Sequence, residues 1–162
     1  MSRAVVVVVA VLVALTGGVA PSSAQGVEKV DARGDASARL DISRVVYRNL
    51  PGRASARVVV PRLVRDGTTH LVLANPGSDW AYVALVRVAD DGTLRTRFVR
   101  SSGGDVQRRS CRFTAAWDAR ANHVDISVPR RCLKGLRSTL YLQAATGLRQ
   151  DYAPPARRLP QG

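Results

Sequence analysis

The stretch Cys111–Cys132, reading CRFTAAWDARANHVDISVPRRC, contains the only two cysteines of the chain and decides how the rest is read. In its second half Val124, Ile126 and Val128 alternate with His123, Asp125 and Ser127, the period-two pattern of a half-buried strand. In its first half Phe113, Ala115 and Trp117 share a face opposite Arg112 and Thr114. The two apolar faces coincide only if residues of opposite parity pair, so Trp117 lies across from either Asn122 or Val124. A slip by one residue would turn one strand's apolar side chains into water. Cys111 then points inward near the end of its partner strand, and Pro129, which cannot donate to the ladder, ends regular pairing shortly before Cys132. These placements predict a β-hairpin clasped by a Cys111–Cys132 disulfide. A redox pair would favour the close Cys-x-x-Cys spacing, which is absent, so the bond is expected to be a staple.

Upstream, Met1–Ala24 has Arg3 in a short leading segment, an apolar run from Ala4 to Leu15, and the small residues Ser22-Ser23-Ala24. That is the pattern of an export signal cleaved after Ala24. The alternative is a retained anchor, but the apolar run reaches only to Ala20, short of the roughly 20 residues that cross a bilayer. A bridged cysteine pair fits an oxidising compartment, so the expected location is secreted or extracellular, associated with the cell envelope. Cleavage leaves about 138 residues, one domain with a real core. We place that domain at 25–150, followed by a Pro/Arg-rich tail at 151–162 that either packs along the domain or stays mobile.

The domain reads as strands separated by turns. Leu40 and Ile42 open a strand whose phase slips near Val45, as at a bulge. Asn49–Gly52 is a turn, and Ser55–Val64 is a strand with Pro61 at an edge. Asp66-Gly67 reads as a hairpin turn into Thr68–Ala74. Trp80–Val88 is almost continuously apolar and is expected to be central and covered on both faces. Asp90-Asp91-Gly92 is a second hairpin signal, into Leu94–Val99. Asp105–Arg109 is ambiguous, and Arg137–Ala145 is a last strand with Leu140, Leu142 and Ala144 on one face. About eight or nine strands with turns every ten residues or so predict an all-β antiparallel sandwich. Its topology is either Greek-key (immunoglobulin-like) or jelly-roll.

Trp117-Asp118, the run Val124–Leu133, the segment Asp151-Tyr-Ala-Pro154, and Gly34-Asp35 with Leu40-Asp41-Ile42 and Val45 together resemble a group of small exported actinobacterial proteins of unknown function. The resemblance implies a signal peptide, a β-sandwich and one disulfide. It carries no activity and no catalytic residues.

Charge speaks to partners. The chain holds 25 Lys and Arg against 12 Asp and Glu, a net +13 that becomes +12 when Arg3 leaves with the signal. Such a field favours anionic partners. Only Lys29 and Lys134 are lysine, a bias that resembles that of a GC-rich genome. Arg95, Arg97, Arg108 and Arg109 form one cluster and Arg130 and Arg131 another. If the two meet in space, they make a surface able to grip phosphate or carboxylate groups bidentately. Single-strand nucleic-acid binders add exposed aromatics, whereas Phe98, Phe113 and Trp117 are expected in the core. The partner is therefore expected to be an anionic cell-wall polymer or membrane surface, with no sequence-specific nucleic acid and no transmembrane segment after cleavage.

Against this basic background Asp31, Asp35 and Asp41 cluster around Gly34, which makes them a calcium-ligand candidate. No other cofactor is indicated. The reading for enzyme function is negative: the only histidines are His70 and His123, and Ser78 lacks the Gly-x-Ser-x-Gly elbow. We therefore expect a non-catalytic binding or structural module with a basic surface. The alternatives are a calcium-assisted carbohydrate-binding sandwich and a hydrolase without a recognisable motif.

Overall fold

The computed structural model describes residues 26–147 and 151–162. The expected export signal at Met1–Ala24 lies outside them. Twelve strands follow in order: β1 (Gly26–Val30), β2 (Arg44–Asn49), β3 (Arg53–Val59), β4 (Gly67–Ala74), β5 (Trp80–Val88), β6 (Leu94–Ser102), β7 (Asp105–Arg108), β8 (Thr114–Asp118), β9 (His123–Pro129), β10 (Leu140–Thr146), β11 (Asp151–Tyr152) and β12 (Ala156–Leu159). One sheet has the order β1-β2-β3-β9-β8. The other runs β11-β10-β4-β5-β6-β7, with β12 also paired to β10. All pairings are antiparallel, and the two sheets pack face to face as a β-sandwich.

The interior is what alternation demands. In β9 Val124, Ile126 and Val128 are fully buried, and Val45, Tyr47, Ala56 and Val58 face them from the neighbouring strands. Leu71, Leu73, Ala84, Val86, Leu140, Leu142 and Ala144 supply the opposite wall. Trp117 pairs with Val124, one of the two registers consistent with the sequence. Cys111 and Cys132 are bonded, with Cα atoms 5.7 Å apart, and a single 3-10 turn (Arg130–Cys132) carries the second cysteine.

Strand number departs from eight or nine because four short strands lie where pattern is weak. β1 and β7 are edge strands with mostly exposed residues, and β11 and β12 dock onto the free side of β10. The segment 151–162 therefore packs, with Asp151, Ala153, Ala156 and Leu159 buried. Two further expectations need correction. Asp66-Gly67 does not close a hairpin, because β3 and β4 belong to different sheets. Gly67 is needed for another reason: its φ of +143° is unfavourable to other residues, and a Cβ there would stand 3.2 Å from the Trp117 ring. That ring reaches across from β8 and donates to the Val64 carbonyl at 2.8 Å, sealing one end of the sandwich. Nor is β5 covered on both faces. It lies mid-sheet, but only Tyr82, Ala84, Val86 and Val88 are buried, while Val83 and Leu85 are half-buried and Arg87 is exposed.

The other end is held by a polar hub that sequence reading did not find. Fully buried Asn49 donates from Nδ2 to the carbonyls of Ser138 and Leu159, both at 2.7 Å, and its Oδ1 accepts from Arg130. One side chain thus ties β2, the turn after β9, the entry to β10, and β12. Tyr47 does the same one turn of the ladder away, accepting from the Ala144 amide at 3.0 Å and donating to the Pro154 carbonyl at 3.3 Å.

Because the disulfide spans a sequence separation of 21, its loss releases a loop worth about 3 kcal/mol in the chain-entropy model. The double substitution Cys111→Ala/Cys132→Ala is expected to lower the thermal midpoint by about 10 °C while leaving the far-UV β spectrum intact. An unchanged midpoint would show that the bond contributes nothing.

Candidate functional site

Three charged regions stand out, one acidic and two basic, and the first two differ from the sets read from sequence. The first is acidic. The loop between β1 and β2 folds against the start of β11, where Asp35, Asp41 and Asp151 offer carboxylate oxygens all within 4.8 Å of one another. The sequence candidates were Asp31, Asp35 and Asp41; the tight group replaces Asp31 with Asp151, 110 residues further along the chain than Asp41. Asp151 is buried and accepts from the Ile42 amide at 2.6 Å. Asp41 accepts from the Gly34 amide at 3.1 Å, and Thr146 Oγ1 donates to the Leu40 carbonyl. Asp31 stands alongside: one carboxylate oxygen accepts from the Ala32 amide at 3.0 Å, and the other is buried without a hydrogen-bond partner among the described residues.

Burial, then the nearby Asp151 charge, pushes the Asp31 carboxyl from an ordinary 3.8 up to about 6. Burial raises Asp151 as well, with Asp35 and Asp41 adding to it. None of the four forms an ion pair with arginine among the described residues.

The second region is basic and lies on the outer face of the β1-β2-β3-β9-β8 sheet. Because the inward residues of β2 and β3 are fixed by the core, Arg44 and Arg48 point outward from β2, and Arg53 and Arg57 from β3. All four line one shallow concavity of about 380 Å³ together with Ser55, Ser127 and Thr114. Arg57 is held by Asp125 in a bidentate pair at 2.8 and 2.9 Å, which keeps the Asp125 carboxyl below its usual range. Arg44 stands 3.6 Å from Glu28. Arg48 and Arg53 make no ion pair among the described residues, and the remaining residues contain no Asp or Glu.

The arginines singled out in the sequence are distributed otherwise. Arg95, Arg97 and Arg108 stand on the outer face of the other sheet. Arg97, Arg108 and Arg109 line a concavity of about 400 Å³ beside Cys111. Arg131 is exposed next to Cys132, so the disulfide holds it near Arg112. Arg130 is not a surface residue in function: it donates to the carbonyls of Leu50 at 3.4 Å and Arg137 at 3.3 Å and to Asn49, and burial depresses its pKa. Of the second sequence cluster, Arg130 is thus engaged within the fold while Arg131 stays exposed.

Neither histidine has a nucleophile as a hydrogen-bond partner among the described residues. His123 Nε2 lies 3.4 Å from Asp125, and its Nδ1 lies 3.3 Å from the Ala121 carbonyl. His70 packs edge-on against Tyr152 with ring centroids 6.3 Å apart, and burial lowers its pKa. No helix among the described residues is long and apolar enough to cross a membrane.

No family model, curated protein or solved structure matches the chain.

A raised carboxylate pKa sets a sign for pH dependence. The folded state holds the Asp31 proton more tightly than the unfolded chain, so its contribution to stability is complete below about pH 4 and lost as pH rises through about 6. Asp31→Asn is expected to raise the thermal midpoint at pH 7.5 and to leave it unchanged near pH 4. Melting curves that shift equally at both values would contradict the assignment.

Proposed function

We propose that this chain is a non-catalytic, exported binding module that works at the cell envelope through a basic surface. The observation that carries this reading is the outer-face concavity in which Arg48 and Arg53 stand without acidic partners among the described residues. Ordinary solvated arginines on a sheet are spread singly or paired with Asp or Glu. Here Arg44 and Arg57 have such partners, but Arg48 and Arg53 stand beside them on one concave face without any among the described residues, in a strongly basic chain, which leaves a net positive potential there. The disulfide agrees with an oxidising compartment, and the likeness to small exported actinobacterial proteins belongs to the same reading.

The protein from Gln25 onward is expected to be retained on isolated cell walls or on immobilised anionic polysaccharide at low ionic strength and released as salt screens the contact. Passage without retention at low salt would remove the reading.

A second reading, calcium-assisted carbohydrate binding, is favoured by one feature: Asp35, Asp41 and Asp151 converge, with Asp31 beside them. Calcium is held by carboxylate and carbonyl oxygens, and its charge would offset the mutual repulsion of carboxylates held this close. The ring of Tyr152, 44% exposed and next to Asp151, offers a surface on which a sugar could stack. On this reading the thermal midpoint at pH 7.5 rises with millimolar calcium and returns with chelator; identical midpoints would eliminate the metal.

A further inference from the structure

We infer that the outer face of β2 and β3 is a track for an extended polyol-phosphate chain, a phosphodiester polymer without bases. The inference rests on the basic-surface reading above and names the ligand of that surface.

The spacing comes from the strand register. Val46 pairs with Arg57, Arg44 with Val59, and Arg48 with Ser55. Along the strand axis the outward arginines therefore follow one another as Arg44, Arg57, Arg48 and Arg53, alternating between the two strands. Each step is two residues, about 7 Å in an antiparallel sheet. The result is a zigzag ladder of four guanidinium groups spanning about 20 Å.

A repeating anion matches this ladder if its charges recur at the same interval. In a phosphodiester polymer of three-carbon polyol units, six bonds separate successive phosphorus atoms. Two extended peptide residues also contain six backbone bonds and advance about 7 Å. Ligand and strand thus share one period, and each phosphate can meet a guanidinium without either chain bending. The third rung is completed by hydroxyls: Arg48, Ser55, Ser127 and Thr114 lie in one row across four strands. Hydroxyl and guanidinium donors together suit phosphate oxygens. Asp125 engages Nε and Nη2 of Arg57, which fixes the direction of that guanidinium but offsets its charge, so the free positive charge of the ladder rests chiefly on Arg48 and Arg53.

Competing anions fit less well. A nucleic acid backbone has the same six-bond repeat, but its bases call for stacking partners, and the concavity has no aromatic lining. A membrane-binding face would present large apolar or aromatic side chains for the lipid interface. Of the exposed large apolar side chains among the described residues, Leu94, Val106 and Tyr152 are on the other sheet, and the single one beside this face is Val30, paired with Arg44 at the β1 edge, which does not make an apolar belt.

The test is a binding titration of the protein from Gln25 onward with poly(glycerol phosphate), monomeric glycerol phosphate, oligothymidylate and anionic phospholipid vesicles. It is run at several salt concentrations for the unsubstituted chain, for Arg48→Ser/Arg53→Ser and for Arg95→Ser/Arg97→Ser. Both double variants remove the same charge from exposed positions, and equal melting temperatures confirm that each is folded. The expected result is tight, salt-sensitive binding of poly(glycerol phosphate) over the monomer. Arg48→Ser/Arg53→Ser should weaken it at least about tenfold, the loss of one or two charge-assisted contacts, and lower the salt slope by about two. Arg95→Ser/Arg97→Ser should weaken it by less than half as much on a logarithmic scale. Equal losses in the two variants, or none in the first, would overturn the track while leaving a general basic surface. Oligothymidylate or vesicles bound as tightly as the polymer, with the same dependence on Arg48 and Arg53, would overturn the ligand class. No binding of any polyanion by the unsubstituted chain would remove the underlying reading itself.

Discussion

Everything in this molecule depends on the parity of the β2-β3-β9 ladder. Tyr47 lies opposite Ala56, Ala56 opposite Ile126, and Val58 opposite Val124, so each inward residue meets an inward residue. Burial of the valine and isoleucine side chains among them contributes about 1.5–3 kcal/mol each. A one-residue slip in β3 would exchange Ala56 and Val58 for Arg57 and place a guanidinium in the core, whose desolvation nothing nearby could offset. The same constraint that fills the interior therefore forces Arg44, Arg48, Arg53 and Arg57 onto one outer face. Core and candidate site are two sides of one register.

Around that ladder, a few buried polar side chains decide how the two sheets meet. A buried amide or hydroxyl without a partner costs about 1–3 kcal/mol, so its bonds are as directional a constraint as packing. Asn49 uses both ends of its amide on groups from three distant segments, and Tyr47 ties β2 to β10 and to the proline turn before β12. Asp151 fastens the β1–β2 loop through the Ile42 amide. These contacts explain why the last dozen residues belong to the sandwich although they have little hydrophobic pattern of their own.

Local features of the sandwich were legible where period and turn chemistry agree. The Cys111–Cys132 hairpin, the parity of its pairing, its bridge and the β5–β6 hairpin at Asp90-Asp91-Gly92 follow from alternation and turn residues, while the choice between two registers of the first hairpin came only with the structure. What failed was long-range. Asp66-Gly67 has hairpin chemistry, yet its glycine serves a close approach by Trp117 across the sandwich end. Asp151 could not be joined to Asp35 and Asp41 because only folding brings them together. The arginine face was present as two i, i+4 pairs, Arg44/Arg48 and Arg53/Arg57, but a phase slip near Val45 obscured the parity of the first. That slip is real in another form: buried Ile42 belongs to the loop tied to Asp151, and the strand begins only at Arg44.

The central claim, that β3 presents arginines outward because its alternate residues are locked inward, is tested most directly by thiol accessibility along that strand. Single cysteines replace Ser55, Ala56, Arg57 and Val58 in turn, and the oxidised protein is treated with a small alkylating reagent under native conditions. The account predicts fast labelling at 55 and 57, and labelling at 56 and 58 only as fast as the protein unfolds. Uniform labelling, or protection at 55 and 57 instead, would contradict it.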